Sequence, residues 1–222
     1  MPETYPSTAA MAEAAAHAVE ACLAQGLRTR ARASLVATGG RSPGPVYDAL
    51  NGPGVDWTRV VVTLSDERCV EPSSPDSNTR LVRERLLTGH RAHAHLLPLW
   101  PEPPEAALRA LAPFDAVLLG MGEDGHIASL IPGDPGLAQA MDPRSDRLLV
   151  SVPAGIGKPP APRVSLTLAA LLQARAIFLL IAGDAKREVV ARAQGGEDLP
   201  VRAILAQDRA PVRIFWAPSH EG

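Results

Sequence analysis

The sequence feature that most constrains the fold is a series of short apolar segments that alternate with stretches of helical pattern. Strands are predicted at 33–37, 60–64, 114–119, 148–152, 176–182 and 212–216. Helices are predicted at 8–25, from Pro43 to Leu50, and at 78–88, 164–173 and 184–193, with a polar loop at 65–77. Strands that are apolar throughout are buried on both faces, as in parallel sheets covered by helices. The sequence therefore predicts the α/β class, with a mainly parallel sheet flanked by helices.

Length and charge favour one domain without a surface for large polyanions. The 222 residues fit one large domain or two small ones. No repeat, low-complexity tail or charge block marks a second unit, so a single domain over 1–222 is expected. The net charge is −2, so no overall attraction to nucleic acid or to an anionic membrane is expected. An anionic ligand must therefore be held by local groups.

The cysteines and the apolar runs indicate an intracellular protein. Cys22 and Cys69 are too few for a disulfide framework or a metal-ligand cluster, and both are expected to be reduced thiols. The N-terminal region lacks the pattern of a signal peptide, and the runs at 114–119 and 176–182 are too short to cross a bilayer. A cytoplasmic location without membrane contact is the expectation.

Glycines and charged side chains follow four of the predicted strands. The segments concerned are 38–42, 66–68, 120–126 and 183–186. Ligands of open α/β sheets bind beyond the carboxyl ends of the strands. These four segments are therefore expected to contribute to one site.

The segment Thr38-Gly39-Gly40-Arg41-Ser42 combines a glycine pair, a hydroxyl group and the start of a helix. Backbone N–H groups at such a turn form a cradle for an anion, with the positive end of the helix dipole behind them. The segment matches neither the P-loop nor the dinucleotide-binding fingerprint, which disfavours ATP and NAD and leaves a smaller phosphate as the expected ligand. The alternative is an ordinary tight turn.

The segment Asp66-Glu67-Arg68 places two carboxylates beside a guanidinium. One interpretation is substrate orientation, since an arginine can bind a phosphate or a pair of hydroxyls through two donors. The other is a surface ion-pair loop of little energetic value. The pair Ser77-Asn78, further along, is expected to cap the next helix rather than to take part in catalysis.

Lysine occurs only at positions 158 and 186, in a chain that otherwise uses arginine. Lys186 lies in the first turn of a predicted helix, where the dipole disfavours a cation, and this indicates an anionic ligand beside it. Arg163 is a second candidate for the same role. Lys158 lies in a loop rich in glycine and proline and is interpreted as a solvated residue.

The segment 120–129, GMGEDGHIAS, follows a predicted buried strand and begins with three glycines, two acids and a histidine within seven residues. Glycine lets the backbone approach a ligand closely, and a histidine there can move protons near neutral pH. The alternative is a tight loop with an incidental histidine. Ser129 is disfavoured as a nucleophile because the G-x-S-x-G elbow is missing.

Three further histidines occur in the connection at 90–95. The spacing of His90, His93 and His95 is compatible with metal ligation. The connection lacks the acids or cysteines that complete such sites, so no metal is expected.

In their order along the chain, these segments resemble the bacterial single-domain 6-phosphogluconolactonases. The match covers TGGRSP at 38–43, DER at 66–68, SN at 77–78, FDAVLLGMGEDGHIASLIPG at 114–133, PRVSLT at 162–167 and GDAK at 183–186. The specific element is the GMGxDGHxASLxPG pattern, and the shorter segments gain weight from their order. Ile131 departs from the family, which usually has an aromatic residue there, and an effect on packing rather than on chemistry is expected.

The resemblance implies a Rossmann-like α/β fold and hydrolysis of 6-phospho-D-glucono-1,5-lactone to 6-phosphogluconate in the oxidative pentose phosphate pathway, without a cofactor. The main alternative is the related glucosamine-6-phosphate deaminases, which carry Phe-Asn-Glu-Pro in place of Ser129-Leu130-Ile131-Pro132 and Asp-Glu-Tyr in place of Asp66-Glu67-Arg68. A non-catalytic sugar-phosphate sensor on the same scaffold is a further alternative. The expected partner is a small sugar-phosphate lactone, and the expected state is a monomer or a weak homo-oligomer.

Lactone hydrolysis requires an activated water, a stabilised oxyanion and a proton for the leaving ring oxygen. His126 is the candidate general base. Asp124 is expected either to orient the imidazole or to hold substrate hydroxyls. Backbone N–H groups of either glycine-rich loop are candidates for the oxyanion site.

The resemblance also implies where the substrate binds. The phosphate is expected at the Gly39-Gly40 pair with Ser42, and its charge is expected to be balanced by Arg163 and Lys186. Arg68 is expected close to the substrate. The residues expected to bind substrate are Gly39, Gly40, Arg41, Ser42, Asp66, Arg68, Asn78, Gly122, Arg163 and Lys186.

Overall fold

The centre of the molecule is a seven-stranded parallel sheet. The computed structural model describes residues 1–102 and 104–219. In this part of the chain the strands are β1 (Glu3–Thr4), β2 (Ala33–Ala37), β3 (Val60–Leu64), β4 (Asp66–Arg68), β5 (His95–Leu96), β6 (Ala116–Gly120), β7 (Leu149–Val152), β8 (Arg163–Leu166), β9 (Ile177–Ala182) and β10 (Val212–Ala217). The main sheet has the order β1-β10-β9-β6-β2-β3-β5, and all its strand pairs are parallel.

The strand order creates a crevice between β2 and β6. From β2 the chain continues to β3 and β5 on one side, whereas from β6 it continues to β9 and β10 on the other. The loops that follow β2 and β6 therefore turn away from each other and leave a gap beyond the carboxyl ends of the two strands. This is the position at which open α/β sheets bind ligands.

A second, antiparallel sheet lies next to this crevice. It has the order β4-β8-β7, and β4 begins two residues after the end of β3. Asp66 of β4 lies opposite Ser165 of β8, and Arg68 lies opposite Arg163. The short sheet thus carries side chains from two distant parts of the sequence to the carboxyl edge of the main sheet.

Helices flank the main sheet. In the described part of the chain they are α1 (Thr8–Arg30), α2 (Pro43–Ala49), α3 (Asn78–Leu81), α4 (Glu105–Leu111), α5 (Leu137–Ala140), α6 (Leu168–Leu171), α7 (Asp184–Gln194) and α8 (Pro200–Leu205). A π-helical turn, Val82–Leu86, continues α3, and 3-10 turns occur at Trp57–Arg59 and Gly89–His93. Ser7 caps α1 because its side chain accepts a hydrogen bond from the Ala10 N–H.

The predicted α/β class, mainly parallel sheet and most predicted elements are confirmed. The predicted strands at 33–37 and 60–64 coincide with β2 and β3, and those at 114–119, 176–182 and 212–216 lie within two residues of β6, β9 and β10. Apart from the first two residues of β10, these strands are almost fully buried, as their apolar sequence indicated. The helix predicted at 8–25 extends to Arg30, and Pro43 opens α2 as predicted.

Two predictions about the second sheet are wrong, and a third is confirmed as a strand. Residues 163–166, assigned mostly to a helix at 164–173, form β8, and the helix is restricted to Leu168–Leu171, where Thr167 caps it. Residues 66–68, assigned to a loop, form β4. The strand predicted at 148–152 exists as β7 but pairs antiparallel with β8 outside the main sheet. Both errors arise because short buried segments have no distinctive periodicity.

Two further expectations concern the cysteines and membrane contact. Cys22 and Cys69 are both free thiols. Among the helices of the described residues, none combines the length and the apolar character needed to span a membrane.

Candidate active site

A cavity of about 270 Å³ lies in the crevice between β2 and β6. Its walls are Thr38, Gly39, Gly40, Arg41, Ser42, Pro43, Asp66, Arg68, Asn78, Gly120, Met121, Gly122, His126, Ala128, Lys158, Arg163 and Lys186. Every residue predicted to bind substrate is among them, and so is His126. Asp124 does not line the cavity, but its Oδ1 contacts Nδ1 of His126. The structure therefore brings together residues separated by up to 147 positions in the sequence.

The loop after β2 forms one wall and is held rigidly. The hydroxyl of Tyr47 in α2 accepts a hydrogen bond from the Thr38 N–H (2.8 Å) and donates one to the Thr38 carbonyl (2.6 Å). Gly39 lies against the Asn78 amide: a Cβ at position 39 would be 2.0 Å from Asn78 Oδ1. Only glycine therefore fits here, because of this close approach.

The same loop presents unused donors to the cavity. In the described part of the chain, the N–H groups of Gly39 and Gly40 have no protein acceptor. Ser42 occupies the N-cap position of α2, but its side chain makes no capping hydrogen bond. These residues line the cavity, so the two amides and the hydroxyl are candidates for the predicted anion cradle.

Asp66 is the carboxylate of the cavity wall, and it is almost fully buried. Its Oδ1 accepts a hydrogen bond from Ser65 Oγ (3.0 Å), and its Oδ2 accepts one from Ser129 Oγ (2.6 Å). The side chain of Asn78 donates to the Asp66 carbonyl (2.9 Å). Buried charges require such partners, so this carboxylate is held by the protein before any ligand binds.

Glu67 has a structural role instead of a place in the cavity. Its carboxylate accepts hydrogen bonds from the N–H groups of Asn78 (2.8 Å) and Thr79 (2.6 Å) at the start of α3. Ser77 completes the cap by accepting from the Arg80 N–H (3.1 Å). The capping role predicted for Ser77-Asn78 is thus confirmed for Ser77, whereas the Asn78 side chain lines the cavity.

Arg68 and Arg163 face the cavity from adjacent strands of the second sheet. Arg163 is 3% exposed, and its Nη1 lies 3.8 Å from Asp66 Oδ2. Burial lowers the pKa of Arg163, against the opposing effect of Asp66. In the described part of the chain the Nε atoms of both arginines are buried without an acceptor.

His126 forms a short hydrogen bond with Asp124. The distance from His126 Nδ1 to Asp124 Oδ1 is 2.5 Å, and the same oxygen accepts from the His126 N–H (3.2 Å). The imidazole packs on Gly122, where a Cβ would lie 2.2 Å from His126 Nδ1 and Cε1. The carboxylate favours the tautomer with the proton on Nδ1, which leaves Nε2 as an acceptor.

Ser129 is fully buried and its hydroxyl donates to Asp66. It does not line the cavity. Its position agrees with the sequence argument against a serine nucleophile.

Lys186 lies in the first turn of α7, as predicted, and reaches the cavity beside Arg41. Burial lowers the pKa of Lys186, and the nearby charge of Arg41 lowers it further, while Glu123 opposes the shift. An anion between the two cations would remove this repulsion, which agrees with the phosphate role inferred from its position.

Lys158 lines the cavity although it was not predicted to do so. It is exposed, as a loop residue should be, yet it lines the cavity from the hairpin that joins β7 to β8. Lysine is rare in this chain, and this rarity could have drawn attention to Lys158. The hairpin that places it at the cavity, however, depends on the pairing of β7 with β8, which the sequence did not predict. The other lining residues not predicted are Thr38, Pro43, Gly120, Met121 and Ala128.

The cavity has a strong excess of positive charge. Its cationic side chains are Arg41, Arg68, Lys158, Arg163 and Lys186, and Asp66 is the carboxylate that faces them. A multiply charged anion is the ligand class that such a lining favours.

The histidines at 90–95 do not form a recognisable metal site. His90 and His93 lie in a 3-10 turn and His95 in β5. Within residues 1–102 and 104–219, no group of three or more histidine, cysteine, aspartate or glutamate side chains is arranged to hold a metal ion.

Comparisons with known proteins agree on one family. A family model described as glucosamine-6-phosphate isomerases/6-phosphogluconolactonase matches residues 6–216. A 6-phosphogluconolactonase of Caulobacter vibrioides is 42% identical, with 97% of this chain and 96% of the relative covered. One of Rhizobium meliloti is 39% identical, with 96% and 97% covered. The crystal structure of a 6-phosphogluconolactonase from Shewanella baltica superposes with a TM-score of 0.89 at 33% identity, covering 97% of this chain and 96% of that one.

Proposed function

We propose that this chain, which belongs to the glucosamine-6-phosphate isomerase/6-phosphogluconolactonase family, hydrolyses 6-phospho-D-glucono-1,5-lactone to 6-phospho-D-gluconate in the oxidative pentose phosphate pathway. Similarity over nearly the full length to proteins named 6-phosphogluconolactonase supports this activity. The observation that carries the mechanism is the pairing of His126 with Asp124 at the wall of a strongly cationic cavity.

His126 serves as general base and then as general acid. With its Nδ1 proton held by Asp124, Nε2 accepts a proton from a water molecule whose oxygen attacks C1 of the lactone. The imidazolium then returns that proton to the ring oxygen as the bond between C1 and this oxygen breaks. A general base of this kind contributes about 10²–10⁴-fold to the rate. Asp124 is a positioning residue, because its carboxylate faces the imidazole rather than the cavity.

The phosphate is bound by the loop after β2 and the start of α7. The free N–H groups of Gly39 and Gly40 and the Ser42 hydroxyl supply hydrogen bonds, and Lys186 supplies charge. Binding energy from this remote group holds the lactone carbonyl near the activated water. The repulsion between Lys186 and Arg41 in the free protein is relieved when the phosphate binds.

Arg68 is the donor assigned to the developing oxyanion. The N–H groups of Gly122 and Gly125 are already bonded, to the carbonyls of His126 (3.0 Å) and Gly122 (3.1 Å). Arg68 instead lines the cavity and carries a positive charge. A fixed cation at this point stabilises negative charge that develops on the carbonyl oxygen.

The residues after the histidine support hydrolysis rather than deamination. The position of the glutamate that the deaminases use is occupied here by Ile131, which is 4% exposed. Its Cδ1 packs against Gly157 of the hairpin, where a Cβ would lie 2.8 Å away. An apolar side chain in this packing supplies no carboxylate for opening a sugar ring.

The activity is tested by acid release from freshly prepared 6-phosphogluconolactone, corrected for spontaneous hydrolysis. Glucosamine 6-phosphate serves as the control substrate, with ammonia as the readout. We expect accelerated acid release and no ammonia. Ammonia release without lactone hydrolysis would indicate a deaminase, and binding of sugar phosphates without turnover of either substrate would indicate a sensor.

A further inference from the structure

Ser129 connects the segment that carries His126 to the second sheet. Its side chain is fully buried. Its N–H donates to Ser165 Oγ (3.1 Å), and its Oγ donates to Asp66 Oδ2 (2.6 Å). The same Oγ accepts a hydrogen bond from Arg163 Nη1 (3.3 Å). One small side chain thus joins the turn of the general base to two residues of the cavity wall.

The backbone beside Ser129 is in an unfavourable conformation. Ala128 precedes Ser129 in the sequence and lines the cavity. Its φ is 49°. The left-handed region disfavours residues with a Cβ, and such a conformation persists only where the surrounding structure fixes it. The three hydrogen bonds of the next residue, Ser129, supply that constraint on the C-terminal side.

The Ser129 hydroxyl also fixes Arg163 relative to Asp66. The guanidinium of Arg163 donates to Ser129 Oγ and, through Nη2, to the Pro159 carbonyl (3.0 Å). Its closest approach to a carboxylate is the 3.8 Å contact with Asp66, which is longer than a direct hydrogen bond. Ser129 therefore bridges the buried ion pair rather than merely packing next to it.

We propose that Ser129 is a positioning residue for the hydrolysis, whose hydroxyl fixes His126 relative to the cations that face the substrate. The inference rests on the proposed lactonase activity. Replacement by alanine removes a donor from Asp66 and an acceptor from Arg163, and it frees the strained backbone at Ala128. The general base then loses its alignment, which lowers kcat because proton transfer requires hydrogen-bond geometry.

The test compares Ser129→Ala with Ser34→Ala, a matched control. Ser34 is also buried, and its Oγ donates to a buried carboxylate, Asp115 Oδ2 (3.3 Å), at the amino end of β2 and outside the cavity. Both substitutions are expected to lower Tm. Only Ser129→Ala is expected to lower kcat, by at least tenfold, with KM changed less than threefold. A smaller loss of kcat with a Tm decrease like that of Ser34→Ala would show a purely structural role and overturn the proposal.

Ser129→Cys decides the question if the alanine variant does not fold. The thiol preserves the shape of the side chain but is a weak donor. A folded Ser129→Cys protein with a tenfold lower kcat supports the proposal, and one with wild-type kcat overturns it. Inactivity of the wild-type protein on the lactone would instead contradict the proposed function, so the two failures are distinguishable.

Discussion

At the scale of single residues, Gly122 shows how closely the loop after β6 fits the imidazole of His126. The absence of a side chain lets the ring pack on the backbone while Nδ1 contacts Asp124. A methyl group in this place would occupy the volume of the ring itself. Glycine at position 122 is therefore explained by its contact with the imidazole and not by a left-handed φ.

Gly122→Ala is expected to lower kcat by about 10²-fold or more. Loss of a general base lowers a rate by about 10²–10⁴-fold, and the expected decrease is the lower end of that range. The added Cβ would lie 2.2 Å from the imidazole and 2.5 Å from Asp124 Oδ1, so the pair must separate. Gly54→Ala is the matched control, because its Cβ would meet no atom within 4 Å. Steady-state kinetics of both variants provide the measurement, and wild-type kcat in Gly122→Ala would show that this ring orientation is not required.

At the scale of elements, the hairpin between β7 and β8 adds one cationic side chain to the cavity lining. Lys158 lines the cavity from its tip. Gly157, the preceding residue, has a φ of 76° and packs against Ile131 and Arg163. The left-handed conformation of Gly157 favours glycine at this position, and the next residue, Lys158, lines the cavity.

Lys158→Met is expected to raise KM about threefold to tenfold, equivalent to about 0.7–1.4 kcal/mol of binding, with little change in kcat. The reason is the loss of one solvent-accessible charge near the bound anion, so the effect is expected to shrink at high salt. Arg144→Met removes an exposed charge outside the cavity and serves as the control. An unchanged KM in Lys158→Met would show that the lysine does not contact the substrate.

Five of the seven strands of the main sheet could be predicted from the sequence, whereas the two-residue strands β1 and β5 could not. In the second sheet only β7 was predicted as a strand. A run such as Ile177–Ile181 is apolar throughout, and burial on both faces explains why. By contrast, Asp66 and Glu67 carry charges that normally indicate an exposed loop, yet both are buried by hydrogen bonds from distant residues. Those partners are known only once the chain is folded.

The candidate site was more predictable than the sheet that supports it. His126 and Lys186 follow strands whose ends could be read from the sequence, and the order of the motifs matched a known family. Lys158 is a solvated loop residue, as predicted. Its place at the cavity was not predicted, because its hairpin depends on the pairing of β7 with β8. The role of Ser129 was equally hidden, because its partners lie 34 and 63 positions away.

At the scale of the whole molecule, the cavity concentrates positive charge in a protein whose net charge is −2. The free protein therefore holds like charges together without a compensating ligand. Lys186 shows the consequence, since burial and the charge of Arg41 lower its pKa. A folded-state pKa below the unfolded value means that the charged lysine costs stability at pH values below the folded-state pKa. This cost falls as the pH rises from the folded-state pKa to the unfolded-state pKa and is absent above the latter.

Lys186→Met is therefore expected to raise Tm at pH 7 in the absence of ligand, with a gain that shrinks as the pH approaches the ordinary range of lysine. The product 6-phosphogluconate is expected to raise Tm of the wild-type protein by binding the folded state, and to raise that of Lys186→Met much less. Thermal unfolding with and without product measures both effects. Lys158→Met, which alters an exposed lysine, is the control, and a lower Tm in Lys186→Met would contradict the argument.

The most direct test of the whole account is the rate of acid release from 6-phosphogluconolactone by the wild-type protein and by His126→Ala. His93→Ala, which removes an exposed imidazole outside the cavity, is the control. If His126 is the general base, kcat falls by about 10²–10⁴-fold in His126→Ala, KM changes little, and His93→Ala retains wild-type kinetics. Lactone hydrolysis at an undiminished kcat in a folded His126→Ala protein would contradict the assignment of the base, and with it the mechanism derived from this cavity.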